Sequence, residues 1–253
     1  MYAAERQQRI LDKARAEGRV EVAASADDLS VTPETVRRDL TTLERHGLLR
    51  RVHGGAIPLE SLGFEPRLSV RQERYTAEKE RIAKAAVDEL PDEGTVLLDS
   101  GSTTQLLAEY LPHDRELTVV TNSIAIANIV ARRESISLFV VGGRVRGRTL
   151  AAVGEWATNA LRGIHVDVAF VGTNGITPDH GLTTPDQDEA LVKRTMVAAA
   201  RRVVVVCDHS KFGTDHFAHV APLDAVDTVI TDSDLDDETT AEIEAAGPSV
   251  VRA

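Results

Sequence analysis

The amino-acid sequence predicts an α/β protein with two unequal parts: a small N-terminal region and a larger domain built on a mainly parallel sheet. The first observation is length, because 253 residues exceed one typical domain. The second is the pattern after residue 79, where near-continuous runs of Val, Ile and Leu alternate with helical stretches. The third is a hydrophobic content of 42%, which is ample for a packed core.

Composition excludes several classes of protein. The longest apolar runs, near residues 203–207, are far shorter than the roughly 20 residues that a membrane-spanning helix needs. No secretory signal opens the chain, so we expect a soluble, cytoplasmic protein with no membrane partner. A single cysteine, Cys207, is too few for a disulfide framework or a cysteine-based zinc site. The spacing of four histidines fits no standard metal site, and we expect most of them at the surface: His180, His209, His216 and His219.

Charge is distributed unevenly along the chain. The net charge is −11, but residues 1–57 carry ten basic and nine acidic side chains, while the remainder carries 19 basic and 31 acidic ones. An acidic body repels phosphate backbones, so any DNA contact must come from a local basic face.

Short helical patterns separated by turns fill the N-terminal region. An apolar stripe at Ile10, Leu11 and Ala14 predicts a first helix. A short extended piece is predicted at residues 20–22 and a second short helix at residues 23–29.

The strongest helix signal runs from Thr32 to about Arg45, because threonine is a favoured N-cap and the following proline a favoured first residue. One face is apolar, and the opposite face carries Arg37 and Arg38, which suit contacts to guanine or to phosphate. A short helix, a three-residue turn and a helix with a polar N-terminal end form helix-turn-helix geometry. We expect DNA contacts from Thr32, Glu34, Thr35, Arg37, Arg38 and Thr41.

A short basic strand and a glycine turn follow, over residues 48–56, and predict a wing. Arg50, Arg51 and His53 are expected to touch phosphate or the minor groove. Paired arginines on a helix often only face solvent; here the cap, the helix and the basic wing occur together, which favours DNA recognition.

Several strings in this region resemble the signature of the DeoR family of repressors, and the resemblance extends over nearly the whole chain. They are Thr35-Val36-Arg37-Arg38-Asp39-Leu40, Leu43-Glu44, Gly47-Leu48-Leu49 and Val52-His53-Gly54-Gly55-Ala56. Ser25 stands where the family usually has leucine, and Ser30 where the turn often has glycine. Neither departure affects the presumed base-reading residues.

The larger domain is predicted from alternating segments. Strands are expected at 95–98, 117–120, 136–141, 166–171, 203–207 and 228–230, and helices at 103–111, 123–132, 154–162 and 186–201. Polar motifs follow five of these strands directly, beginning at Asp99, Thr121, Gly142, Gly172 and Asp208. Because ligands of parallel α/β sheets bind outside the carboxyl ends of the strands, this pattern predicts a site for a polar ligand.

The Gly-Ser-Thr-Thr turn at residues 101–104 leads into a predicted helix. Free N–H groups at a helix start, with hydroxyl donors beside them, favour an oxyanion such as phosphate. The glycine spacing matches neither the ATP-binding nor the dinucleotide-binding motif, so no such cofactor is expected. Serine or threonine after glycine is by itself more often a simple helix cap.

The family resemblance implies a sensor domain similar in fold to ribose-5-phosphate isomerase and glucosamine-6-phosphate deaminase, whose serine/threonine-glycine loop holds the sugar phosphate. It also draws attention to the pairs Glu78-Lys79, Glu189–Lys193 and Asp208–Lys211, although Glu189–Lys193 on its own would be an ordinary helical pair. The expected effector-binding residues are Lys79, Asp99, Gly101, Ser102, Thr103, Thr104, Asn122, Gly143, Lys193, Asp208 and Lys211.

Together these features predict a repressor of sugar or glycerol catabolism genes that a phosphorylated metabolite releases from operator DNA, with the fructose-phosphate or glycerol-3-phosphate class favoured. The expected organisation is a DNA-binding domain at 1–57, a linker at 58–78 and a sensor and oligomerisation domain at 79–253. A homodimer or homotetramer is expected because one short recognition helix buries too little surface for specificity. The alternatives are a sugar-phosphate isomerase or deaminase, with Glu189 or Asp208 as general base, and an architectural DNA-binding protein without a ligand.

Overall fold

A computed structural model describes residues 3–45, 48–52, 54–58 and 65–253. The predicted DNA contact His53 lies outside these ranges. The chain divides into two compact units, Met1–Val70 and Arg71–Ala253, which we call unit 1 and unit 2. None of the helices in the described ranges has the length and apolar character needed to cross a membrane.

Unit 1 is a three-helix arrangement with a small antiparallel sheet in the order β1-β3-β2. Its elements are α1 (Ala3–Glu17), β1 (Val20–Glu21), α2 (Val22–Leu29), α3 (Pro33–Arg45), β2 (Leu49–Val52) and β3 (Gly55–Pro58). The predicted apolar stripes of α1 and α3 are confirmed as buried core, with Ile10, Val36 and Leu40 packed together. A short helix, α4 (Leu68–Gln72), includes the boundary between the units.

Unit 2 contains six further helices and twelve strands among the described residues. The helices are α5 (Thr76–Val87), α6 (Ser102–Glu109), α7 (Ile124–Val130), α8 (Glu155–Arg162), α9 (Gln187–Ala199) and α10 (Asp237–Ala245), with 3₁₀ turns at His209–Lys211 and Leu223–Ala225. The strands are β4 (Gly94–Leu98), β5 (Leu117–Thr121), β6 (Ile136–Val140), β7 (Arg144–Arg146), β8 (Ala151–Val153), β9 (Val166–Val171), β10 (Gly175–Thr177), β11 (Gly181–Thr184), β12 (Ala200–Val206), β13 (Ala218–Ala221), β14 (Thr228–Thr231) and β15 (Ser249–Arg252).

The predicted parallel sheet is confirmed, with seven strands in the order β15-β14-β12-β9-β4-β5-β6. Successive residues of the central strands enter different cores: Leu97 packs on one side of the sheet, and Val96 and Leu98 on the other. Because side chains alternate across a strand, helices cover both faces, and the polar loops are left at the strand ends.

Short antiparallel strands were not predicted from the sequence. A β7-β8 hairpin and a three-stranded sheet in the order β10-β11-β13 lie beside the main sheet. These strands have three or four residues each, too few for an alternating pattern to stand out. The predicted strand at 203–207 begins earlier, at Ala200, which pairs with Val166, so the preceding helix ends at Ala199.

Burial differs from the sequence expectation at several positions. Trp156, at helical spacing from Ala160, is predicted to lie in the core or at an interface; it is 81% exposed, so it is not part of the core. His216 is buried, although most of the histidines are expected at the surface. The Asp208 loop is predicted to be exposed and the acidic run from Asp232 to Glu238 to be a solvated helix start, but Asp208 and Asp232 are both buried. Both aspartates follow buried strands, and their carboxylates accept hydrogen bonds there, which compensates for lost water.

Candidate functional site

The start of α3 is fixed by the predicted cap. Thr32 Oγ1 accepts a hydrogen bond from the Thr35 amide at 3.2 Å, and Pro33 is the first helical residue. Thr35 Oγ1 lies 2.9 Å from Thr32 Oγ1. The cap satisfies one of the free amides of the helix start and sets the direction of the exposed side chains that follow.

The exposed face of α3 carries both predicted arginines. Arg37 reaches Glu34, with 3.3 Å between Nη1 and Oε2, while Arg38 has no carboxylate partner among the residues that the structure describes. Thr41 donates to the Arg37 carbonyl at 2.9 Å. The face is therefore polar and cationic, as contact with phosphate or base edges requires.

The wing is tied to α3 by two contacts. The Arg51 amide donates to Glu44 Oε1 at 2.8 Å, and the Arg51 guanidinium donates to Thr41 Oγ1 at 3.3 Å. Arg50 and Arg51 are both exposed on β2. Gly55 opposes β1 so closely that a Cβ there would lie 1.9 Å from the Val20 carbonyl oxygen, so the turn of the wing requires glycine at this position.

Sequence reasoning missed the ion pair that supports this face from behind. Asp39, on the buried side of α3, accepts hydrogen bonds from Arg6 Nε at 2.5 Å and from Gln7 Nε2 at 2.9 Å. The Asp39 hydrogen bond raises the pKa of Arg6. The partners lie 33 residues apart, so only their opposite charges, and no local pattern, hinted at the pairing.

In unit 2 the strand order reverses between β4 and β9: the chain continues from β4 to β5 and β6 on one side, and from β9 to β12, β14 and β15 on the other. Such a switch point opens a crevice at the carboxyl ends of the two strands. Asp99, directly after β4, accepts from the Gly172 amide, directly after β9, at 3.0 Å. The crevice is therefore lined from both sides, and we call residues 99–104, Gly172 and Lys193 the switch-point site.

Lys193 reaches this site from α9. Its ammonium is buried and donates to Asp99 Oδ2 and, at 2.8 Å, to the Gly172 carbonyl. Burial raises the pKa of Asp99, and the Lys193 ammonium opposes that rise. The sequence selected Lys193 and Asp99 separately; the structure brings them together.

The hydroxyl-rich turn at the start of α6 is buried beside Asp99. Ser102, Thr103 and Thr104 are all buried, and Thr104 Oγ1 donates to the Gly101 carbonyl at 3.2 Å. Gly101 is the N-cap residue, and its backbone is extended.

Three buried oxygen atoms at the strand ends, all able to accept a hydrogen bond, have no hydrogen-bond partner within the described ranges. They are Asp99 Oδ1, Asn122 Oδ1 and Thr231 Oγ1. The Asn122 amide nitrogen donates to the Ala152 carbonyl at 3.2 Å, which fixes its orientation. A buried acceptor without a donor is costly, so a hydroxyl donor supplied by a ligand would stabilise this arrangement.

Glu189 and Gly143 contact the β7-β8 hairpin. Glu189 accepts from Thr149 and from Arg146 at 2.5 Å, contacts that the sequence did not reveal. Burial raises the pKa of Glu189, but the Lys193 and Arg146 charges lower it by more than burial raises it. The net shift of the pKa is therefore downward. Gly143 packs so that a Cβ would lie 2.7 Å from the Val153 carbonyl oxygen.

Asp208 precedes the 3₁₀ turn after β12, and Lys211 is the last residue of that turn. Asp208 Oδ1 accepts from the Ser210 amide at 3.2 Å and from its hydroxyl. Burial raises the pKa of Asp208, but the Lys211 charge, the Ser210 bonds and the Lys79 charge together lower it below its usual value. Lys79 Nζ lies 3.9 Å from Asp208 Oδ2. This cluster unites three of the predicted effector residues.

A further group, which sequence reasoning missed, follows β12 and β14. Asp232 is fully buried, and its carboxylate accepts from the His209 amide at 2.8 Å and contacts His209 Nδ1 at 2.8 Å. With Asp234, these side chains place three potential metal-ligating atoms within 4.8 Å of one another. The Asp232 carboxylate is paired with the His209 ring, and this contact accounts for the burial of Asp232 without requiring a metal.

Comparison with known proteins gives matches along both units. The family model described as the DeoR-like helix-turn-helix domain matches residues 6–61, and the one described as the DeoR C-terminal sensor domain matches residues 74–233. The HTH-type transcriptional regulator GlpR of Haloferax volcanii is 39% identical over 251 residues, covering 99% of this chain and 98% of the relative. The glycerol-3-phosphate regulon repressor of Escherichia coli is 32% identical, covering 92% of each chain.

A solved structure of ribose 5-phosphate isomerase A from Methanocaldococcus jannaschii is also similar. It is 20% identical, covers 55% of each chain and superposes with a TM-score of 0.41. A likeness at this level carries no functional argument.

Proposed function

Because the chain belongs to the DeoR family of transcriptional regulators, we propose that it represses sugar or glycerol catabolism genes and is released from operator DNA by a phosphorylated metabolite. In this proposal unit 1 reads the operator and unit 2 binds the metabolite. The observation that carries it is the switch-point site, where Lys193, Asp99 and a hydroxyl-rich helix start meet.

The DNA-reading role rests on α3 and the wing. Arg38 and Arg50 are exposed and have no carboxylate partner in the described parts of the chain, so their charges are available to a nucleic acid. The acidic body of unit 2 leaves this face as the place where DNA attraction is concentrated. Two half-sites are needed for specificity, which supports a homodimer or homotetramer.

The metabolite class follows from the donors and acceptors of unit 2. The helix start at Ser102 and the ammonium of Lys211 suit a phosphate group. The acceptors Asp99 Oδ1 and Asn122 Oδ1 suit hydroxyl groups. A small polyol carrying one phosphate, such as glycerol 3-phosphate or a fructose phosphate, offers both, and the Escherichia coli relative is named for a glycerol-3-phosphate regulon.

We further propose that unit 2 binds this metabolite without converting it. The two candidate bases are engaged: Glu189 accepts from Arg146 and Thr149, and Asp208 accepts from Ser210. The pKa of each is lowered, which makes each a weaker base.

A paired binding experiment tests the proposal. Duplexes selected from a random library supply the operator, and fluorescence anisotropy then measures its affinity with glycerol 3-phosphate, fructose 1-phosphate, or their unphosphorylated counterparts. Only the phosphorylated compounds should weaken operator binding, and at 100 times its dissociation constant each should stabilise the protein by about 2.7 kcal/mol. At the ligand concentration used for the wild type, Lys211→Ala should reduce that stabilisation, whereas Lys84→Ala, which changes an exposed lysine of α5, should not.

The result against the effector proposal would be that neither phosphorylated compound shifts the melting temperature or the operator affinity. NMR of the incubated compounds checks the second proposal. Conversion to an isomer at an enzymatic rate would favour an isomerase instead.

A further inference from the structure

The first five residues of unit 2, residues 71–75, contact the start of α6 and the 3₁₀ turn after β12, and we call them the strap. Gln72 Nε2 donates to Gln105 Oε1 at 2.9 Å, and Gln105 lies in the first turn of α6, directly after residues 99–104 of the switch-point site. At the other end the Tyr75 ring meets the His209 ring edge to face, with 5.0 Å between ring centroids and 78° between planes. The strap therefore contacts the first turn of α6, which follows β4, and the 3₁₀ turn that follows β12.

Lys79 forms hydrogen bonds to the backbone of the strap. Its ammonium donates to the carbonyl oxygens of Arg71 at 2.5 Å and Arg74 at 2.6 Å. Lys79 is 4% exposed, and the carboxylate of Asp208, 3.9 Å away, is 1% exposed. Burial lowers the pKa of Lys79 to about 8, and the nearby Asp208 carboxylate opposes that shift.

The position of the strap in the chain gives these contacts a consequence. Unit 1 ends at Val70, so the strap is the segment through which unit 2 is covalently joined to the DNA-reading unit. Tyr75 has a φ of +53°, a left-handed conformation that tyrosine adopts only where surrounding contacts maintain it. Loss of the contacts at either end would therefore favour a different path for the strap.

We propose that the strap is the coupling element of the repressor: metabolite binding beside Asp208 withdraws Lys79 from the strap carbonyls and loosens the connection to the DNA-reading unit. The inference rests on the proposed effector function. Without ligand, two lysines offset the Asp208 charge: Lys79 Nζ lies 3.9 Å from Asp208 Oδ2, and Lys211, whose amide donates to the Asp208 carbonyl at 3.1 Å, adds a second positive charge. A phosphate that engages Lys211 leaves Lys79 as the main partner of Asp208, and the ammonium then moves toward the carboxylate and away from Arg71 and Arg74.

Hydrogen exchange of the unmodified full chain tests the proposal directly. The protein is exchanged with and without saturating glycerol 3-phosphate or fructose 1-phosphate, whichever releases operator DNA. Peptides covering residues 71–79 should exchange about tenfold faster with the ligand, while peptides covering the switch-point site should be protected. Unchanged exchange of the strap under conditions that release the operator would overturn the coupling role and leave the effector function standing.

A series of Lys79 variants adds a second readout, the effect of ligand on operator affinity, which would not change if Lys79 had only a structural role. Lys79→Met should weaken operator binding about tenfold without ligand, and ligand should then weaken it little further, since typical couplings are 5–150-fold. Lys79→Arg, which keeps the charge and the donors, should restore part of the ligand response. Lys84→Met, on the same helix but exposed, is the matched control and should respond as the wild type does.

Tyr75→Ala provides the second variant, because it removes a strap contact without changing a buried charge. It should also weaken operator binding in the absence of ligand. A full ligand response in both Lys79→Met and Tyr75→Ala would overturn the proposal. If neither phosphorylated compound binds the wild type, the effector function itself is wrong, and the coupling role is overturned with it.

Discussion

Arg6 at the beginning of α1 grips Asp39 in the middle of α3 through two hydrogen bonds, Nε to Oδ2 at 2.5 Å and Nη2 to Oδ1 at 3.2 Å. Both side chains are largely buried. The exposed, cationic face of α3 is thus held by a salt bridge on its opposite side. The orientation of Arg37 and Arg38 depends on this pair as well as on apolar packing.

Replacing Asp39 by Ala should therefore destabilise unit 1. The Arg6 guanidinium would remain partly buried without its carboxylate, which costs about 1–3 kcal/mol. Urea unfolding followed by hydrogen exchange of α1 and α3 measures the change. Asp28→Ala removes the exposed partner of Lys13 and should cost less than about 1 kcal/mol, because surface pairs contribute little. Equal effects of the two substitutions would contradict the structural role of the Arg6–Asp39 pair.

Replacing Arg38 by Ala should weaken operator binding by about 1–3 kcal/mol if the side chain reads a base, with the largest loss at one operator position. Anisotropy titrations with single-base operator variants distinguish this from a phosphate contact, which would weaken all sequences alike. Arg132→Ala removes the same charge from an exposed position of unit 2. Its affinity should match the wild type, and an Arg38→Ala affinity that also matches would remove Arg38 from the interface.

The buried ammonium of Lys79 predicts a pH dependence with a defined sign. Its pKa is about 8 in the folded protein and 10.5 for a free side chain, so the unfolded chain binds more protons between these values. Stability from this group therefore rises as pH increases from about 8 to about 10. The free energy of unfolding of the wild type, minus that of Lys79→Met, should grow between pH 7.5 and pH 9.5 in urea titrations. A difference that falls over this range would contradict the assigned burial.

The thiol of Cys207 should report on stabilisation of unit 2 by its effector. It is the one cysteine of the sequence, it is buried directly before Asp208, and burial raises its pKa. Reaction with a thiol reagent should therefore be slow in the folded protein and immediate in denaturant. Effector at 100 times its dissociation constant should slow the reaction about 100-fold if the thiol is exposed only by unfolding. A rate that does not respond to the ligand would mean that Cys207 is exposed by a motion independent of the site.

The sequence predicts those elements whose pattern is local. The bounds of α3 follow from Thr32, Pro33 and an apolar stripe, and β9 matches its predicted residues because Val166–Val171 is apolar almost throughout. The polar residues after the strands could be predicted as well, because each motif directly follows an apolar run. The family resemblance is confirmed by the matching family models. The resemblance, more than the residues alone, indicated that the ligand carries a phosphate group.

What the sequence could not predict depends on contacts between distant residues. The strand order that brings Asp99 to Gly172 is not encoded in either segment. The burial of Asp232 depends on His209, and the engagement of Glu189 depends on Arg146, whose hairpin is too short to show a pattern.

The separation of Asp99 and Lys193 by 94 residues has a consequence for the order in which the protein is made. All elements of unit 1 from α1 to β3 have left the ribosome before β4 is synthesised, and N-terminal domains fold first. The sensor crevice closes only after α9 has emerged, and such distant pairings form slowly. In a nascent or truncated chain, unit 1 is therefore expected to be folded before the chain can respond to any metabolite.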